Sequence, residues 1–227
     1  YSDHIAQPIS WLKKGNDPEQ LNSSIALWTR APKDISEEEY KNFYHDVASS
    51  YDSPFATLHN RTEGTVEFTN LLFVPSSAPF DLFEPERKPK LQLYVNRVFI
   101  TDSCEDLVPK WMRFLRGVID SEDLPLNVSR ELLQNNPVLA RIKAGVTSRV
   151  LNALGEKAEK ESEAYAGFWE AFGPALKEGL YEDFEHREKL LKLVRFRTTA
   201  GDELVSLAEY TARMKEGQKA IYYIAGD

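Results

Sequence analysis

A single cysteine, Cys104, stands in 227 residues, so no internal disulfide can staple the fold, and the chain suits a reducing compartment. No apolar run approaches the length of a bilayer crossing. There is no strongly basic block either: 28 Lys and Arg against 36 Asp and Glu leave a net charge of −8, which argues against a nucleic-acid surface. Neither of the common glycine-rich phosphate loops occurs, nor a GxSxG elbow. His4, His45, His59 and His186 are scattered, none at ligand spacing from Cys or another His, so no metal site is expected. Glu37, Glu38 and Glu39 fall in the first turn of a helix, where they favour its dipole as a solvated face rather than act as an acid/base pair. Together these absences leave no self-sufficient active site.

What is present is an ordinary globular composition, 42% hydrophobic and 28% charged, long enough for one large domain and a smaller piece. The chain opens on Tyr1 rather than Met without a signal-peptide pattern, and is expected to be cut from something longer. The short apolar opening YSDHIAQPISWL and the polar KKGNDPEQLNSS read as the end of one unit and a linker. Ser36 and Glu39 form a capping box, after which Tyr40, Phe43, Tyr44 and Val47 recur on one helical face. Residues 65–74 and 91–100 are rich in β-branched and aromatic side chains and predict strands. The four prolines of PSSAPFDLFEPERKPK forbid a regular element between them. Pro109 suits the first turn of a helix carrying Trp111, Met112, Phe114, Leu115 and Val118 inward.

From residue 128 the pattern is mostly helical: a short helix leads into helices expected over about 137–154, 161–177 and 181–193, with Gly173-Pro174 distorting or dividing the one at 161–177. Strands are expected at 195–198 and 220–224, with a helix capped by Ser206 and Glu209 between them. The whole predicts an α/β fold: a layered αβα sandwich, a helical connector and the start of a second, smaller α/β subdomain. The boundaries expected are 1–21 for the terminal remnant and linker, 22–156 for the large subdomain, 157–194 for the connector and 195–227 for the small unit.

Two stretches stand out chemically. In DSEDLPLNVSRELLQNNP, Arg130 falls in a first helical turn, where the dipole disfavours a cation by roughly 0.3–1 kcal/mol. Gln134 lies four residues on, on the same side. An arginine at a helix N-terminus can receive a phosphate. On physics alone the weightier alternative is a surface pairing with Glu131 or Asp123. Asn127 is placed to cap the helix. In APFDLFE, Phe80, Leu82 and Phe83 either pack beneath a proline-bounded loop or form an exposed sticky patch beside acids, with equal weight. Trp111 belongs to a regular apolar face and is expected in the core, whereas Trp169 in GFWEAF is a candidate for exposure on its helix.

The runs DSEDLPLNVSRELLQ, RTEGTVEFTNLLFVPSSAPFDLFE and LQLYVNRVFITD, with the ending YTARMKEGQKAIYYIAG, resemble the middle segment of the ninety-kilodalton heat-shock chaperone family. The likeness covers essentially the whole chain in order. It implies a cytoplasmic chaperone in which Arg130 and Gln134 of the SRELLQ motif complete an ATPase site. The ATP, with Mg, would be bound mainly by an N-terminal domain of which residues 1–12 are the last piece. Arg130 is then both the catalytic and the cofactor-contacting residue, and Asn127 and Ser129 support its loop. Phe80, Leu82, Phe83 and Trp169 become client-binding candidates, and the end of the strand at 91–100 a contact with the nucleotide domain. The partners implied are the N-terminal ATPase domain, partly folded clients and a second copy joined through a C-terminal domain, with neither nucleic acid nor membrane. The rival is an adaptor module with no part in catalysis.

Overall fold

The computed structural model describes residues 8–12, 18–21, 25–84, 89–125 and 136–224. They divide into two compact units, Tyr1–Arg149 and Val150–Asp227. In the first, β1 (Ser10–Trp11) and β2 (Glu19–Gln20) make a short antiparallel ladder. Then come helix α1 (Glu37–Ala48) and strands β3 (Ala56–Thr62), β4 (Phe68–Val74), β5 (Lys90–Val95), β6 (Val98–Thr101) and β7 (Arg116–Ser121). The last five form one sheet in the order β3-β4-β7-β5-β6, antiparallel except for the β5–β7 pair.

The sheet is covered on both faces, as an αβα sandwich requires. On one, Phe43 and Tyr44 of α1 pack with Trp28, Leu71, Phe73, Tyr94 and Val118 into a closed cluster. Each such ring contributes roughly 1.5–3 kcal/mol by burial. On the other, Phe68 meets Gly145 of α2 (Pro137–Lys160): a β-carbon on Gly145 would sit 3.4 Å from the Phe68 ring. The α1 capping box is present as expected, Ser36 Oγ accepting from Glu39 N at 3.3 Å and Glu39 Oε2 from Ser36 N at 2.8 Å.

Several expectations are corrected. The helix expected after Pro109 is only a 3-10 turn, Lys110–Met112, and Val118 lies in strand β7. Every residue of β7 is buried, so this central strand shows no alternation and its apolar run mimics a buried helix. Gly117 is required in β7: its φ is +125°, and a β-carbon would come 2.1 Å from the Leu71 carbonyl oxygen. The single strand expected over 91–100 is a hairpin, β5 and β6, turning at Asn96 (φ 49°) and Arg97 (φ 65°). Both left-handed residues match a two-residue type I′ turn, which suits Asn and is unusual for Arg. Strand β3 carries no strong apolar alternation and was not expected.

In the second unit, α3 (Ser162–Glu182) is not divided at Gly173-Pro174 but continues through it. The missing proline N–H is tolerated because Phe168, Trp169, Phe172, Ala175 and Leu176 bury that helix in the core. Helix α4 (Arg187–Leu193) is shorter than the 181–193 expected, and Tyr165 Oη donates to its Leu193 carbonyl at 2.9 Å. Strands β8 (Phe196–Thr198) and β9 (Gly201–Val205) pair, and α5 (Leu207–Ala212) has the expected Ser206–Glu209 box. Residues 220–224 form no strand; no ladder lies beside them among the described residues.

Candidate functional site

Three places matter: the segment around Arg130, the loop around Phe80, and a cleft unforeseen from the sequence. Asn127, Ser129, Arg130 and Gln134 lie outside the described residues. Their flanks are described and firmly held. Before them, Asp123 Oδ2 accepts from Glu67 N at 2.6 Å, just past the end of β7. After them, Asn136 caps α2, its Oδ1 accepting from Val138 N at 2.9 Å, with Pro137 in the first turn.

The loop divides the three apolar residues expected to act together. Leu82 is fully buried, and its carbonyl accepts from Arg113 Nε at 2.8 Å. Phe80 is 101% exposed and Phe83 52%, the latter under the Arg113 guanidinium, 5.5 Å from the ring centroid. Leu82 is therefore an anchor that leaves Phe80 outside. Trp169 corrects another expectation: it is 5% exposed. Gly173, one turn on, makes room for the indole, since a β-carbon there would lie 2.8 Å from it. Lys177 Nζ stands 5.6 Å from its ring centroid.

A hub holds the start of the loop. Asp52 accepts from Tyr44 Oη (2.9 Å), Ser76 Oγ (2.6 Å), Ser77 Oγ (3.1 Å) and Ser50 Oγ. Burial alone would raise its pKa; the hydroxyls of Ser50, Ser76, Tyr44 and Ser77 outweigh that and bring it down to about 2. Acidic Asp81 and Glu84 flank the exposed rings.

The cleft, about 570 Å³, lies on the α1 face of the sheet in the first unit. Its lining includes Arg61, Thr69 and Asp120, aligned across neighbouring strands β3, β4 and β7. His59 and Glu122, two residues from Arg61 and Asp120, share that face. The Trp28–Pro32 segment and the Asn96-Arg97 turn complete the walls. Trp28 Nε1 donates to Asp120 Oδ2 at 2.9 Å, and Arg97 N to Asp120 Oδ1 at 3.2 Å. Burial pushes the Asp120 pKa up, with these hydrogen bonds opposing it. His59 is tied at both nitrogens, to Tyr40 Oη at 2.7 Å and the Trp28 carbonyl at 2.9 Å, and burial lowers its pKa. No group of metal-ligating side chains occurs among the described residues. Sequence reasoning missed the cleft because its residues are far apart in the chain; the one signal was the unusual Asn-Arg turn.

The described residues form a layered sandwich whose loop over residues 75–84 exposes Phe80 and part of Phe83. The chain belongs to the Hsp90 family: the Hsp90 protein family model matches residues 9–227. It is 56% identical over 227 residues to the chaperone protein HtpG of Paramagnetospirillum magneticum and 57% identical to that of Rhodospirillum rubrum. In each case all of this chain aligns with 36% of the relative, so it spans about a third of their length. The middle domain of a Plasmodium falciparum heat shock protein superposes with a TM-score of 0.77 at 34% identity. That match covers 88% of this chain and 78% of the other.

Proposed function

We propose that this chain is the middle domain of an ATP-dependent molecular chaperone, and that it completes the ATPase site of an N-terminal domain through Arg130. The observation that carries this reading is the unbroken alignment of all 227 residues with two HtpG chaperones at 56% and 57% identity. Phosphoryl transfer needs charge stabilisation at the γ-phosphate, often from an arginine delivered by a second domain. Arg130 supplies that charge, and Gln134 holds the contact or the surroundings of the attacking water. Asn127 and Ser129 shape the loop. The hydrogen-bonded flanks at Asp123 and Asn136 support this, because a contacting arginine must be positioned to act.

ATP and its Mg are held by the nucleotide-binding domain, with Arg130 as this chain's own contact. Binding that bridges two domains only when they close favours the closed clamp. The exposed end of the β5–β6 hairpin, with Val98 and Phe99 half out, supports a docking role toward that domain. Phe80 and Phe83 offer a surface for partly folded clients. The chaperone is cytoplasmic and acts as a homodimer through a C-terminal domain. Residues 22–156 are the large subdomain, 157–194 the connector and 195–227 the start of the small one.

The test is ATP turnover and ATP affinity of the full-length parent with Arg130→Ala. A fall of about tenfold or more, some 1.4 kcal/mol of barrier, with affinity little changed is expected. Intact turnover would overturn the role and leave the adaptor reading.

A further inference from the structure

We propose that the cleft beneath Trp28 is an oxyanion-binding site, taking a carboxylate or a phosphate group between the guanidinium groups of Arg97 and Arg61. The inference does not depend on the Arg130 contact, although Arg97 stands in the turn of the hairpin proposed to face the nucleotide domain. Arg30, Arg61 and Arg97 all line one cleft with two acids, Asp120 and Glu122, while Glu39, Glu63 and Glu67 stand against Arg30 and Arg61 from outside the lining. Asp120 is occupied within the wall, one oxygen accepting from the Trp28 indole and the other from the Arg97 backbone. Arg30 is committed as well: its Nη1 donates to Glu39 at 2.6 Å and its other terminal nitrogen to the Asp34 carbonyl.

Arg97 differs. Its side chain makes no hydrogen bond and no ion pair within 4.0 Å among the described residues. It stands on a left-handed residue that a side chain like its own seldom occupies. Two backbone bonds hold that turn, Arg97 N to Asp120 and Asn96 N to the Ser121 carbonyl at 3.1 Å. The guanidinium, which acts on Asp120 only through space, is thus carried on a fixed base and keeps its donors for a ligand. Arg61 meets Glu63 and Glu122 at 3.4 Å and Glu67 at 3.8 Å, long and solvent-exposed contacts that an anion can replace at little loss. Thr69 and Asn96 add hydroxyl and amide groups to the lining, and Trp28, itself buried, closes it. This is a donor-rich cleft of the size that small ligands fill, and guanidinium forks match carboxylate and phosphate geometry.

The experiment titrates the ¹⁵N-labelled 227-residue chain at constant ionic strength, following the Trp28 indole and Arg97 Nε resonances. One arm uses inorganic phosphate, the other N-acetylglutamate amide. A saturable shift of both resonances in either arm supports the site, and the arm that saturates names the anion. Linear, unsaturated shifts in both arms overturn it. Arg97→Asn is the variant of choice, because Asn suits the left-handed turn while removing the guanidinium. It should weaken binding by about tenfold or more, as loss of a charge-assisted hydrogen bond does. Arg61→Gln should weaken it too, and Arg197→Gln in the second unit should not. Undiminished binding in Arg97→Asn, with the Trp28 indole signal in place, would refute the assignment.

Discussion

The indole of Trp28 donates to the carboxylate of Asp120 at 2.9 Å across 92 positions of sequence, and both are buried. This bond ties the segment before α1 to the centre of the sheet. Because Asp120 also receives Arg97 N, one side chain sets both the Trp28 wall and the β5–β6 turn. Asp120→Ala would strand two donors, one of them in the core. A loss of roughly 2–4 kcal/mol is expected from urea unfolding, with Asp120→Asn losing less. Equal stability of Asp120→Ala and the parent would show that water replaces the carboxylate.

Asp52 makes a pH-dependent contribution. Its folded pKa of about 2 lies below the ordinary carboxylate value near 3.9, so the folded state favours the charged form. The stabilisation is complete above about pH 4 and is lost as pH falls toward 2. Protease cleavage between Pro75 and Phe83 should rise over that window, and Asp52→Asn should show the raised cleavage already at neutral pH. A pH-independent cleavage rate in the parent would contradict this.

Leu82 and Phe80 should separate stability from surface function. Leu82→Ala empties a fully buried position and should cost about 2–4 kcal/mol in denaturant unfolding. Phe80→Ala removes a ring wholly in solvent and should change stability by less than about 0.5 kcal/mol. In the full-length parent, Phe80→Ala should weaken suppression of client aggregation; unchanged suppression would remove Phe80 from the client surface.

Gly117→Ala should destabilise the sheet by on the order of 3 kcal/mol or more, since the new methyl meets the Leu71 carbonyl and the backbone is left-handed. Gly64→Ala, whose added carbon meets nothing within 4 Å although its φ is +149°, is the control for backbone strain alone. Calorimetric melting of the two variants compares clash with strain.

What the residues determine locally was legible. The Ser36–Glu39 and Ser206–Glu209 boxes each close within four residues, so their helices start where the sequence places them. The long apolar faces of α2 and α3 carry their periodicity wherever they pack. Local information also indicated Leu82 and Phe80 as one apolar group, and there it stopped, because which of them turns inward depends on Arg113, thirty-one positions after Leu82.

Sequence pattern was enough for the α/β sandwich class, for the long helices α2 and α3 and for the motifs of the Hsp90 family. Only the tertiary structure decided that 116–121 is a strand, that Trp169 is covered, and that Arg97, Arg61 and Asp120 line one cleft. The physical reason is range. Caps and helical faces are settled by neighbours three or four residues away, whereas a buried central strand and a cleft are settled by partners that only folding brings together.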